Sequence, residues 1–176
     1  MRAIVDAARA RERRLKTEDL RLEGLMTLQR DLHRRGFAVV AGVDEVGRGA
    51  LAGPVTAGAV ILTSDVRIEG LNDSKKLTRE TRQRVAASVR EQAVAWSVAH
   101  AQPAEIDAMG IGRATRLAWR RALEGLGIPF DHVIVDGNDG RDLGLEVTMV
   151  VRGDSRVACI AAASFSVNSS AILPCT

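Results

Sequence analysis

The period of the apolar positions changes several times along this chain, and each change marks an element. Residues 3–35 are polar and arginine-rich with scattered leucines, and read as one or two helices leading into the body of the protein. Residues 37–45 (Phe37-Ala-Val-Val-Ala-Gly-Val-Asp-Glu) and 54–62 (Pro54-Val-Thr-Ala-Gly-Ala-Val-Ile-Leu) are apolar runs of strand length. The glycine-rich turn between them predicts a hairpin. A polar loop, Asn72-Asp73-Ser74-Lys75-Lys76, precedes a helix whose Val85, Ala86, Val89 and Ala93 share a face, with Thr78 placed to cap it.

Residues 94–100 read as a third strand. Pro103 opens a short helix, and a longer one runs from about Gly112 to Leu126. On it Ala114, Leu117 and Ala118 share one face while Arg113, Arg116 and Arg120 share another, which reads as solvated. His132-Val-Ile-Val-Asp136 is a short buried strand ending in an acid, 145–152 a last strand, and 156–164 a final helix with Ser155 as its cap. Trp96 and Trp119 read as core. Three strands in succession followed by helix–strand units predict an α/β fold, a mixed sheet of about five strands flanked by helices on both faces. The chain divides into a basic helical arm (1–36), a body (37–164) and a tail (165–176) without helical or strand periodicity.

Composition narrows the class. At 176 residues a single domain is expected, able to bury roughly 70% of its unfolded surface. No apolar run approaches the ~18 residues of a membrane span, and the arginines and acids at the N-terminus do not form a secretory signal. Two cysteines, Cys159 and Cys175, suit a reduced cytoplasmic protein better than a disulfide scaffold. Residues 1–36 hold ten Lys/Arg against six Asp/Glu, a net of +4, whereas the whole chain carries +3. A basic arm on a nearly neutral body suits phosphate attraction; a solvated charged helix fits equally well.

Four acids stand out by position. Asp44–Glu45 ends one apolar strand, Asp136 ends another, and Asp154 lies just beyond a third. Taken singly, each also fits a cap or a turn. If the strands are neighbours, the carboxylates converge outside the strand ends, where sites of open α/β sheets collect. Their repulsion then calls for a cation, and oxygen donors without nearby His or Cys select Mg²⁺ or Mn²⁺ over Zn²⁺. Adjacent strand residues point to opposite faces, so Asp44 and Glu45 can share an ion only if the strand ends or twists there. His33, His100 and His132 have no ligand spacing.

These residues carry a resemblance. Asp44-Glu45-Val-Gly47-Arg48-Gly49 with Leu51-Ala-Gly53-Pro54-Val55 resembles the signature of ribonuclease HII. Leu71-Asn72-Asp73-Ser74-Lys75-Lys76-Leu77, Val135-Asp136-Gly137-Asn138, Arg152-Gly153-Asp154-Ser155 and Ile160-Ala-Ala-Ala-Ser164 follow in the family's order, so the match covers roughly residues 38–164. The resemblance implies a ribonuclease H-like fold with Asp44, Glu45, Asp136 and Asp154 as catalytic acids and metal ligands. It further implies Mn²⁺ or Mg²⁺ as cofactor, two ions with substrate bound, and a substrate of RNA–DNA hybrid or duplex DNA containing ribonucleotides. By the same resemblance Gly47, Arg48 and Gly49 read the ribonucleotide beside the cut, and Asn72, Ser74, Lys75, Lys76, Arg152 and Ser164 complete the substrate-binding set. Arg152 stands where the family usually has lysine. A monomer is expected.

The tail departs from the pattern. After Ala-Ala-Ala-Ser164 the resemblance implies a basic helix and, later, a substrate-reading tyrosine. Here no charged residue follows Arg156 and the chain has no tyrosine. The reading is of a truncated or frameshifted end whose final helix lacks packing partners. A catalytically impaired hybrid-binding protein, and a carboxylate nuclease acting on DNA junctions, are the rival readings.

Overall fold

In the computed structural model, which describes residues 2–49, 53–71, 77–137 and 143–170, the small and β-branched runs become a five-stranded sheet. Strands β1 (Val40–Val46), β2 (Val55–Ile61) and β3 (Ala95–Ala101) pair antiparallel, with Ala41 opposite Ile61 and Val55 opposite Ala101. Strands β4 (His132–Asp136) and β5 (Val147–Val150) add in parallel beyond β1, giving the order β3-β2-β1-β4-β5. All seven residues of β2 are buried, as an apolar run covered on both faces requires.

Alternation along the strands divides two cores. Val40, Val60 and Ile134 face α1 (Arg2–Arg34), α2 (Arg79–Gln92) and α5 (Ala158–Ser170). Ala41, Val43, Ala57, Ala59, Val133 and Val135 face α4 (Ile111–Glu124), which follows the short α3 (Pro103–Met109). Helices on both faces are therefore as the pattern predicts. Thr78 caps α2, its Oγ1 accepting from the Thr81 N–H at 3.3 Å.

The largest revision concerns the C-terminal segment. The helix expected over 156–164 instead begins at Ala158 and continues to Ser170, and residues 157–167 are all buried. It lies on β1 and β2 with α2 against its back. A helix enclosed on every side is apolar all round, so the loss of charge after Arg156 is what its position demands. Phe165 and Val167, assigned to the tail, are core; residues 171–176 lie outside the described set. At Gly42 a Cβ would overlap the backbone and side chain of Cys159, so glycine there lets α5 approach β1 closely. Ser155 does not cap this helix. It closes a 3-10 turn (Gly153–Ser155), and its hydroxyl donates to the Arg152 carbonyl at 3.0 Å.

Two smaller revisions follow. The arm is one helix whose second half belongs to the core: Leu22, Leu25, Met26 and Leu32 are buried, whereas Leu15 and Leu20 are exposed. Trp96, read as core, sits on the edge strand β3, 40% exposed, with the Arg90 guanidinium over its ring. Among the described residues no helix is long and apolar enough to cross a membrane.

Candidate active site

Parallel pairing of β1 with β4 brings the acids together. Val43 is registered with Val135, so Asp44 and Asp136 stand one step further along two adjacent strands, Asp136 as the last residue of β4 and Asp44 two residues before the end of β1. Neighbouring strands lie about 4.8 Å apart. Alternation sends both side chains to the face covered by α5, the face that Gly42 and Ile134 share. There the Ser164 hydroxyl hydrogen-bonds the Asp44 carboxylate, and the Gly153 N–H donates to Asp136 Oδ1 at 2.8 Å. That second bond ties the 3-10 turn, and with it Asp154, to the end of β4.

Glu45 leaves the strand on the opposite face. β1 stays regular through Val46, with Asp44 opposite Gly58 and Glu45 opposite Ala57, so the strand does not end between the two acids. The Glu45 side chain turns toward α4. Trp119 Nε1–H donates to its Oε2 at 3.0 Å and Arg48 Nη1–H to its Oε1 at 3.3 Å. Glu45 still feels the charge of Asp136.

The electrostatics follow from burial. Asp44, 6% exposed, is raised from 3.8 to about 7, first because burial penalises its charged form. The Ser164 hydrogen bond opposes this, and the charges of Glu45 and Asp136 add to it. Glu45 is also raised, mainly by burial and further by Asp136; the bonds from Arg48 and Trp119 pull the other way. Asp44 and Glu45, both held above the usual carboxylate range beside Asp136 and offering oxygen donors alone, fit a hard divalent cation. Among the described residues, no three His, Cys, Asp or Glu side chains stand as a ready-made cation site.

The remaining expected site residues divide. Gly47 has φ +96°, the left-handed region, and a Cβ there would collide with the Pro54 carbonyl, so the bend after β1 requires glycine. Arg48 and Gly49 are exposed. Arg152 is exposed with φ 57° and ψ 44°, the sole non-glycine residue with positive φ among those described. This conformation costs roughly 1 kcal/mol and turns the chain into the segment bearing Asp154. Ser164 is fully buried, so its hydroxyl holds Asp44 and presents no surface to a substrate. Asn72, Ser74, Lys75 and Lys76 lie outside the described residues. On α4, Arg113 and Arg120 are exposed and Arg116 is half-buried.

Sequence reasoning missed the partnership of Trp119. The helical period places it on the buried face of α4, and a buried indole N–H needs an acceptor. Nothing in the local pattern says that the acceptor is Glu45, 74 residues away.

Comparison with known proteins completes the picture. Residues 41–167 match the family model described as Ribonuclease HII. Ribonuclease HII of Moorella thermoacetica is 48% identical over 144 residues, taking in 82% of this chain and 70% of that one. Ribonuclease HII of Vibrio vulnificus is 48% identical over 130 residues, 74% of this chain and 63% of that one. The chain thus spans only part of these relatives, under two thirds of the second. Among solved structures, ribonuclease H2 from Pyrococcus horikoshii OT3 gives a TM-score of 0.65 at 26% identity, over 75% of this chain and 71% of that one. Bst-RNase HIII in complex with Mn²⁺ gives 0.63 at 22%, over 78% and 53%. The ribonuclease H-like fold expected from the signature is borne out, and the chain belongs to the ribonuclease HII family.

Proposed function

We propose that this protein is a divalent-metal-dependent endonuclease that hydrolyses the RNA strand of RNA–DNA hybrids and cuts at ribonucleotides embedded in duplex DNA. The products would carry a 5′-phosphate and a 3′-hydroxyl. The observation that carries the reading is the meeting of Asp44 and Asp136 on adjacent parallel strands, with the Asp154 turn tied to Asp136 and Glu45 close enough to feel its charge. Membership of the ribonuclease HII family supports the same chemistry.

In this reading Asp44, Glu45, Asp136 and Asp154 hold two Mn²⁺ or Mg²⁺ ions. When bound, the ions supply an activated water and charge stabilisation at the departing O3′. The protein's own work is positioning. Ser164 and the Gly153 N–H fix the orientation of Asp44 and Asp136, and burial keeps the carboxylates poised for a cation rather than for water. The bend at Gly47-Arg48-Gly49 brings backbone to the rim of the site, where it can meet the 2′-hydroxyl that distinguishes RNA from DNA. Arg48 and Arg152, exposed beside the acids, and Asn72, Ser74, Lys75 and Lys76 in the polar loop, engage phosphates. A monomer working in the cytoplasm completes the proposal.

The test is direct. Pure protein is incubated with a duplex bearing one ribonucleotide, with Mn²⁺ or with chelator, beside an all-DNA duplex. Cleavage at the ribonucleotide that needs the ion and spares the DNA control is expected, as is its loss in Asp44→Asn. Binding of the hybrid without any cleavage would overturn the nuclease reading in favour of a hybrid-binding protein. Equal cleavage of both duplexes would overturn the substrate.

A further inference from the structure

We infer that Trp119 is a positioning residue for the candidate metal site, its indole N–H anchoring Glu45 so that this carboxylate is available to the ions. The inference deepens the proposed function and rests on it.

Strand alternation poses the problem. Asp44 and Asp136 point toward α5, while Glu45 points toward α4, away from its neighbour. A flexible glutamate on the wrong face contributes little to a shared site unless something fixes it near the strand end. Trp119 supplies a fixed point. The ring is fully buried in the core between α4 and the sheet, and its N–H meets Oε2 at 3.0 Å. A buried, single-donor bond from a rigid ring restrains the carboxylate at little entropic cost.

The other oxygen is held differently. Oε1 accepts from Arg48 at 3.3 Å, and Arg48 is 44% exposed on the glycine-flanked bend. The Glu45 carboxylate is only 10% exposed, but the guanidinium end of the pair reaches solvent, where it can exchange partners. The two bonds on Glu45 differ in setting: the indole is a fully buried donor on α4, the guanidinium a half-exposed one on the bend after β1. When Arg48 turns to a phosphate, Oε1 is released toward the ions while Oε2 stays tied. Outer hydrogen bonds of this sort typically change metal affinity or activity about 10- to 100-fold when removed.

The test uses Mn²⁺ binding by the full chain, followed by the electron paramagnetic resonance of the unbound ion, so that nuclease activity is not needed. Trp119→Phe keeps an aromatic ring and loses the donor, and is expected to weaken Mn²⁺ about 10- to 100-fold. Leu123→Ala, buried on the same helix four residues beyond Trp119 and with no hydrogen-bonding group to offer Glu45, opens the same interface and is expected to leave Mn²⁺ affinity within about twofold of wild type. If Trp119→Phe fails to fold, tryptophan is replaced biosynthetically by β-(benzothienyl)alanine in a Trp96→Phe background, which keeps the ring's bulk without the N–H. Wild-type affinity in the donor-less protein would overturn the inference, as would an equal loss in Leu123→Ala. A wild-type chain that binds no Mn²⁺ would instead overturn the metal-dependent reading on which it rests.

Discussion

At the scale of single residues, Asp44 sets the character of the site. Its carboxyl titrates near 3.8 when unfolded and at about 7 in the folded chain. Between those values the folded state keeps a proton that the unfolded state has released, so stability falls as pH rises from about 4 through about 7. A tenfold difference in proton affinity between the two states is worth about 1.4 kcal/mol, so the loss is on the order of a few kcal/mol. Asp44→Asn removes it. In chelator at pH 8 the variant is expected to melt above wild type, and the gap should close toward pH 4; a pH series of thermal melts reads this directly. A gap that did not change with pH would mean that burial of the carboxylate is not the cause.

At the scale of elements, α1 and α5 carry the unexpected results. The first half of α1 is rich in charge and Leu15 and Leu20 are exposed, but Leu22, Leu25, Met26 and Leu32 of its second half join the core. Leu32→Ala is therefore expected to cost about 2–5 kcal/mol in urea denaturation, and Leu15→Ala no more than about 0.5 kcal/mol. An equally small loss at Leu32 would show that the helix is a detachable arm throughout. α5 touches the site through Ser164 and the core through Phe165, so anything that lifts it from β1 also moves Asp44. Gly42→Ala would force Cβ into Cys159 and is expected to cost about 1–3 kcal/mol or more. Its Mn²⁺ affinity should fall together with its stability, because one helix supports both.

At the scale of the whole molecule, the candidate site gathers carboxyl groups, those of Asp44 and Asp154 buried, in a chain of net charge +3. A cation that binds only the folded state stabilises it by mass action, about 2.7 kcal/mol at one hundred times its dissociation constant. Mn²⁺ is thus expected to raise the melting temperature of wild type and to leave Asp44→Asn unmoved. A variant that responded like wild type would place the bound ion elsewhere. The positive balance of residues 1–36 suits phosphate attraction, so hybrid affinity should fall steeply between about 50 and 200 mM salt, in proportion to the phosphates neutralised.

Much of this was legible before folding was considered. Short apolar runs bounded by glycines, prolines and polar loops specify strands locally, and so the five strands, their order along the chain and the Thr78 cap could be read from neighbours in sequence. The signature from Asp44 to Gly49 likewise named its acids without a structure. Partnerships across long separations could not be read this way. That Glu45 answers to Trp119 and Asp44 to Ser164, and that an uncharged C-terminal stretch is a buried helix, depend on which helix covers which face. Local sequence sets backbone preference and the alternation of side chains; only the packing of α4 and α5 on opposite sides of β1 decides what each carboxylate meets.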